Sequence, residues 1–254
     1  MLKNFALVGS CILLSACGGG GTSGVSYTTL SVLGNGDGIA RGITDTGEEA
    51  LFYSPYVVDV VAGANAATST DIANVKASDF PIISRVGNVQ TRKGTMTSNG
   101  VTVNITAIED TRADEAGIIF MEAAAGYNDL TMVTGAKYSN APSGTHTYNG
   151  TQAVTSRYAT APSSTGPFTM SANFTNKTFS YSGNSGGVSV SGTGVIDTDT
   201  GRYATNGLTV SSGTTNYGGT MHGLLHGSGA TATTGVFHSS GSSPAYTGGF
   251  VGSR

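Results

Sequence analysis

The stretch YGGTMHGLLHGSGATATTGVFHSSGSSPAYTGGFVGSR, residues 217–254, decides the fold. It reads as three short strands, 217–226, 231–238 and 247–251, separated by glycine-rich turns. A last strand of this kind needs an earlier strand to pair with, because an open sheet edge is a liability. An aromatic-and-glycine ending suggests the closing strands of an antiparallel barrel. The sequence before it is therefore expected to supply the remaining strands.

Working back, residues 168–174 give the cleanest strand. Phe168, Met170, Ala172 and Phe174 fall on one side, and Thr169, Ser171 and Asn173 on the other, which is a period of two. Asn176-Lys177 turns into residues 178–181, where Phe179 and Tyr181 share a face. Residues 183–187 read as a loop, 188–195 as a strand, Asp197-Thr198-Asp199-Thr200-Gly201 as a turn and 203–210 as a strand. Upstream, 145–148 leads through a turn at Asn149-Gly150 into 152–158. That makes about eight or nine strands, and a barrel of about eight is just filled by its own side chains. Gly192, Gly194 and Gly223, inside strands, suit tight curvature.

Residues 27–135 also read as largely β, with candidate strands at 27–33, 56–61, 81–86 and 117–121. The clearest hairpin is 95–98, Asn99-Gly100, 101–108, whose second arm alternates Val101, Val103, Ile105 and Ala107 with Thr102, Asn104 and Thr106 as a half-buried strand would. Asn35-Gly36-Asp37-Gly38 reads as a loop and residues 69–75 as one short capped helix. Residues 122–125 favour helix locally. The turn-rich Asn140-Ala141-Pro142-Ser143-Gly144 marks the expected domain boundary.

Composition agrees with an all-β chain. Of 254 residues 39 are glycine and only 11% are charged, so charged helix faces are scarce. The net charge of -3 gives no electrostatic basis for a nucleic-acid partner.

The N-terminus reads as a targeting signal. Lys3 is the positive flank and residues 5–14 are the apolar run, shorter than the roughly 20 residues a spanning helix needs. It ends in Leu14-Ser15-Ala16-Cys17, which looks like a bacterial lipobox. Residues 1–16 are then a signal peptide. Cys17 is the lipid attachment site, diacylated on sulfur and acylated on its amine (palmitate is the expected acid). Cys11 leaves with the signal, so the mature chain has neither a free thiol nor a disulfide. Gly18 follows the cysteine, where Asp would favour inner-membrane retention, so the outer membrane is expected. Residues 17–26 form a Gly-rich tether with a reach of roughly 15–20 Å.

Several spaced pieces resemble a family. Ser143-Gly144-Thr145-His146-Thr147-Tyr148-Asn149-Gly150 looks like the opening of the C-terminal barrel of bacterial transferrin-binding protein B and its relatives. Phe174-Thr175-Asn176-Lys177-Thr178-Phe179 is similar to their second hairpin. Leu225-His226-Gly227, Gly235-Val236-Phe237 and Gly248-Gly249-Phe250-Val251-Gly252 resemble their closing signature. Leu225 and His226 stand where the family has an aromatic pair, and Ser228 where it has Pro. The resemblance implies an eight-stranded barrel at residues 140–254, preceded by a β-rich handle-like domain at 27–139. It also implies a surface-exposed outer-membrane lipoprotein. Relatives bind host iron proteins, haem, haemoglobin or complement regulators, so a host or environmental iron-carrier protein, or haem itself, is the expected kind of partner.

Few residues suggest chemistry. His222 and His226, four apart on a strand, share a face, and His238 sits on the neighbouring strand. They are the candidates for haem ligation, against hydrogen-bonded histidines on a barrel exterior. Residues 197–201 and 35–38 superficially resemble calcium loops but lack the full ligand series, and these residue types are ordinary in turns. Tyr246 is a candidate loop-tip contact. His222-Gly223-Leu224-Leu225-His226 lacks the Glu of a zinc-protease helix, and no serine nucleophile elbow occurs in a strand-to-helix setting. The expected function is non-enzymatic binding at the outer-membrane surface, with no required cofactor. The alternative is a periplasm-facing structural lipoprotein with no external ligand.

Overall fold

The structure, a computed structural model, describes residues 80–254 except 99–100, 113–115, 124–128, 157–163 and 240–245; before residue 80 it describes the backbone of six strands. These are β1 (Thr29–Val32), β2 (Asp37–Ile43), β3 (Glu49–Tyr53), β4 (Tyr56–Val58), β5 (Val61–Ala62) and β6 (Asn65–Ala66). Then come β7 (Ile82–Val86), β8 (Val89–Ser98), β9 (Val101–Asp110), β10 (Gly117–Ala123) and β11 (Asp129–Gly135). The last group is β12 (Thr145–Ser156), β13 (Ser164–Asn173), β14 (Thr178–Ser185), β15 (Val188–Asp197), β16 (Arg202–Ser212), β17 (Thr215–His226), β18 (Ala232–Ser239) and β19 (Tyr246–Ser253). There is no helix among the described residues, so the protein is all-β.

Strands β12 to β19 form a closed antiparallel barrel of eight in chain order. Closure is the pairing of β12 with β19, from Asn149 opposite Ser253 to Ser156 opposite Tyr246. This abolishes the open edges that an eight-stranded sheet would otherwise carry. A second sheet has seven strands in the order β3-β2-β11-β10-β9-β8-β7. Two further pairs, β1 with β4 and β5 with β6, complete the pairing.

The barrel interior is packed with aromatic rings. Phe168 stacks on Tyr181 at 5.2 Å between centroids, and Phe250 lies 4.9 Å from Phe168 and 4.6 Å from Tyr181. Phe179 meets Tyr203 edge-on at 4.9 Å. Full burial of each such ring contributes on the order of 1.5–3 kcal/mol. Space for them comes from inward glycines on the facing strands. Gly150 is register partner of Phe168, Gly194 of Phe179, Gly223 of Tyr203, Gly235 of Phe250 and Gly248 of Phe237. In all five pairs a Cβ on the glycine would overlap its partner's ring. Of the strand glycines expected to ease curvature, Gly192 and Gly194 lie where the register of β15 shifts against β16, and Gly194 and Gly223 serve in addition as sockets for rings.

That pairing corrects two expected turns. Asn149-Gly150 is not a hairpin; β12 runs through it, because Gly150 faces inward under Phe168 and its backbone pairs with both β13 and β19. The expected loop at 183–187 shrinks to Gly186-Gly187, both with positive φ, and Gly183 stays in β14 against Phe168 and Gln152.

The first half differs more. Asp37 and Gly38 open β2 rather than closing a loop, and β3 and β11 are strands where none was expected. Strand β9 is buried on both faces at its centre, with Ile105 and Ala107 on one side and Thr106 and Ile108 on the other. A half-buried strand was expected; the barrel covers the second face. Residues 122–123 end β10. The short helix at 69–75 and the turn at Asn99-Gly100 lie outside the described residues.

Sheet and barrel share a second core. Ile108, Ile118, Phe120 and Val133 of the sheet pack against Ala153, Leu224, Ala232, Val236 and Val251, which point outward from β12, β17, β18 and β19. One wall of the barrel is therefore apolar on both sides, and the sheet sits on it. The buried Asp110 carboxylate accepts two bonds from the Arg112 guanidinium, at 3.0 and 2.6 Å, and Arg112 also donates to the carbonyl of Asn149 across the junction at 3.4 Å.

Candidate functional site

A barrel of this kind can bind a ligand in its lumen, at its rims or on its outer wall. The lumen is filled. Gln152, fully buried on β12, accepts the Tyr181 hydroxyl at 2.8 Å on Oε1, while its Nε2 has no protein acceptor. Tyr203 donates to the Thr234 carbonyl at 2.8 Å and contacts the Thr233 hydroxyl at 2.7 Å. The Tyr148 hydroxyl donates to the carbonyl of Ala230 at 2.7 Å. Burial pushes all three phenols above their ordinary pKa, since the anion would be stripped of water. These tyrosines are structural: every hydroxyl has a partner.

Aromatic side chains also pack at the two ends of the barrel. Tyr217 and Tyr246 meet edge-on at 5.7 Å between centroids, and the Tyr246 hydroxyl donates to Ser212 at 3.0 Å. Tyr246 is thus a strand residue packed on the core rather than a loop tip. At the other rim Tyr138 packs on Gly201 and donates to the Thr198 carbonyl at 2.7 Å. The neighbouring 197–201 loop is an Asp-centred turn. Asp197 accepts the backbone N–H of Asp199 at 3.0 Å and the Thr200 hydroxyl at 2.7 Å. These bonds, Thr200 first, hold the Asp197 carboxyl below its usual pKa. Its oxygens serve the turn, and no group of His, Cys, Asp and Glu among the described residues is arranged to hold a metal ion. Of the other candidate loop, Asp37 and Gly38 belong to β2, and the rest lies outside the described residues.

His222 and His226 do share a face, as their spacing requires, with Leu224 between them. That face is the barrel's outer wall, and at Leu224 and His226 it meets the sheet. His226 is 1% exposed. Its Nδ1 lies 3.1 Å from the Ala136 carbonyl and its Nε2 2.6 Å from the Thr234 hydroxyl. A carbonyl can only accept, so Nδ1 carries the proton and Nε2 accepts from Thr234. The ring also fills the space over Gly135 at the end of β11. His226 is thus a clasp between sheet and barrel; iron ligation by it would break one of these bonds and part the interface. His222 is half-buried opposite Ala204 and Val236, and His238 is opposite Thr220 and Thr247. Cys17 lies outside the described residues.

Among the described residues a further surface is the outer wall away from the sheet. Strands β13 to β16 present Thr169, Ser171, Ser180, Ser182, Ser191 and Thr209 outward, a nearly uncharged hydroxyl face. A lipid-facing barrel would carry apolar side chains there, so this wall faces water. A shallow open depression crosses it, lined by Thr145, Ser171, Asn173, Ser180, Thr193 and the 66% exposed Val195. Its chemistry is hydrogen bonding and light apolar contact, with no nucleophile, acid–base pair or metal ligand set.

No protein-family model matches the chain, and no curated protein matches it. Solved structures do. Intact Ap-TbpB (N and C lobes) is 16% identical, over 85% of this chain and 45% of that one, with a TM-score of 0.51. A mutant of the vaccine antigen transferrin-binding protein B from Haemophilus parasuis Hp5 is 11% identical, over 85% and 44%, with a TM-score of 0.54. The chain spans less than half the length of either. At such identities the likeness is one of fold. A closed barrel of eight strands carrying a seven-stranded sheet on one wall is the fold this chain shares with a lobe of transferrin-binding protein B.

Proposed function

We propose that the chain is a non-enzymatic lipoprotein of the outer-membrane surface, anchored through Cys17, that binds a protein or an iron- or haem-containing ligand. One observation carries the reading: the fold matches that of transferrin-binding protein B, and the interior of its barrel is packed with its own side chains. Any ligand is therefore held on outer surfaces and loops, as an extended protein surface would be. The lipobox at Leu14-Ser15-Ala16-Cys17 and the Gly-rich residues that follow support the anchor. We assign residues 1–16 to the signal, 17–26 to the tether, 27–139 to the handle-like part and 140–254 to the barrel part. A direct haem role for His222 and His226 has little support, given the engagement of His226 at the interface.

Radiolabelled palmitate should enter the wild-type chain and not Cys17→Ala. Protease added to intact cells should then digest it. Full protection until the outer membrane is broken rules out surface display and leaves a periplasm-facing structural lipoprotein.

A further inference from the structure

Asn-Gly occurs four times in the chain, and two of the pairs, Asn149-Gly150 and Asn206-Gly207, lie among the described residues. Both asparagines are exposed, yet their backbones are held differently. Asn149-Gly150 runs along β12, and both residues pair with β13 on one side and β19 on the other. The Asn149 Oδ1 also accepts the Thr169 hydroxyl at 3.0 Å.

Asn206-Gly207 sits in a bulge. Against β15 the register passes from Val195 opposite Ala204 to Ser191 opposite Thr209, four steps on β15 for five on β16. Against β17 it passes from Thr205 opposite Met221 to Leu208 opposite Gly219, three steps on β16 for two on β17. Strand β16 thus carries one extra residue relative to both neighbours. Burial shows the same insertion: Thr205 and Leu208 are both buried, with exposed Asn206 and Gly207 between them. Neither Asn206 nor Gly207 has a register partner on either side. The Gly207 N–H donates instead to the Thr205 hydroxyl at 2.9 Å. The space beside Gly207 is open, since a Cβ there would find nothing closer than 3.6 Å.

Asparagine followed by glycine has a reaction of its own. The backbone nitrogen of the glycine attacks the side-chain Cγ, the bond from Cγ to Nδ2 breaks, ammonia leaves, and a five-membered succinimide forms. Water then opens the ring at one carbonyl or the other, leaving aspartate or isoaspartate, and no oxidant or cofactor takes part. Glycine favours the attack because it has no side chain to crowd the nitrogen and reaches a wide range of backbone angles. A strand ladder opposes it, because pairing fixes those angles.

We infer that Asn206 is a site of self-modification: the bulge in β16 lets the Gly207 nitrogen reach the Asn206 side chain and convert it to aspartate and isoaspartate in the folded protein, while the ladder protects Asn149. The Thr205 bond has to open first, but it is a single bond to a side chain. Isoaspartate adds one carbon to the backbone at a point already out of register, so the pairing on either side of the bulge survives. Both products add a carboxylate to the nearly uncharged outer wall. The inference goes beyond the proposed function and does not depend on it.

Ageing the folded full chain in warm neutral buffer with detergent, followed by trypsin and mass spectrometry, tests it. Asn206 falls in the tryptic peptide 203–254 and Asn149 in the peptide 138–157. Conversion of amide to acid, located by fragmentation and counted above a zero-time digest, should be at least about tenfold faster at Asn206, because Asn149 has to wait for the ladder to open locally. In urea the two rates should converge, since each is then an unfolded Asn-Gly. Asn206→Gln should lose the reaction, and Gly207→Ala should slow it while the β signal in circular dichroism stays unchanged. Equal rates in the folded chain overturn the proposal. The same ratio persisting in urea also overturns it, because the difference then comes from flanking sequence and not from the bulge.

Discussion

Gly223 and Tyr203 face each other across β16 and β17, and the Tyr203 ring occupies the space that a Cβ on Gly223 would need. A methyl group there must displace a ring held by bonds to Thr233 and Thr234. Gly223→Ala should therefore destabilise the chain by about 1–3 kcal/mol through overpacking. Gly207 is the control, since it has no positive φ and its Cβ would find nothing closer than 3.6 Å. Gly207→Ala should stay within about 0.5 kcal/mol of the parent. Urea unfolding monitored by circular dichroism compares them, and equal midpoints would sink the socket argument.

The Tyr181–Gln152 pair lends itself to a double-mutant cycle. Tyr181→Phe removes the donor to Gln152 Oε1, and Gln152→Leu leaves the buried Tyr181 hydroxyl without its acceptor. Each should cost about 1–3 kcal/mol. The double variant, which also removes the partnerless Nε2, should cost less than the sum. Additive losses would show that the two side chains do not act on one another.

Alkali should unfold the barrel from near the ordinary phenol pKa. Tyr148, Tyr181 and Tyr203 all have folded-state values raised by burial, so the native chain keeps three protons that the unfolded chain gives up. Their stabilising contribution is whole below about pH 10 and declines as pH rises above it, by up to about 4 kcal/mol per pH unit for three groups. Tyrosinate absorbance should rise together with loss of the β signal. Ionisation of all the tyrosines before any unfolding would contradict their burial.

His226→Ala should loosen the hold of the sheet on the barrel. It removes the acceptor for Thr234 and the donor to Ala136, and it leaves a void beside Gly135. A loss of about 2–4 kcal/mol is expected. Hydrogen exchange should quicken at β11 and β18 more than at β13 and β14. In a hemin titration the parent and the variant should give the same Soret band; a shift present only in the parent would restore His226 as an iron ligand.

The barrel was legible in the sequence because its signal is local. Phe168 to Phe174 alternates cleanly, and the alternation survives as an inward row of Phe168, Met170 and Ala172. The sequence misled where one residue type has two uses. Asn149-Gly150 has turn chemistry, yet Gly150 is in mid-strand because a ring on β13 needs the space. Tyr148, Gly150, Gln152 and Val154 in alternation were the available hint. The sheet was harder to read, since β2 begins with Asp37-Gly38 and β11 with Asp129, residues that usually flank strands. The placement of His226 was out of reach: nothing near it in sequence announces the Ala136 carbonyl just past the end of β11.

Closure between β12 and β19 also constrains how the chain folds. The first and last strands of the barrel must find each other after every other barrel strand has been made, a pairing of high contact order and slow kinetics. Until β19 arrives, β12 and β18 keep open edges and the lumen lacks Phe250, the ring that touches Phe168 and Tyr181. A chain emerging during synthesis or passing through a membrane pore can therefore stay unlocked until its last strand is delivered, and then lock in one cooperative step.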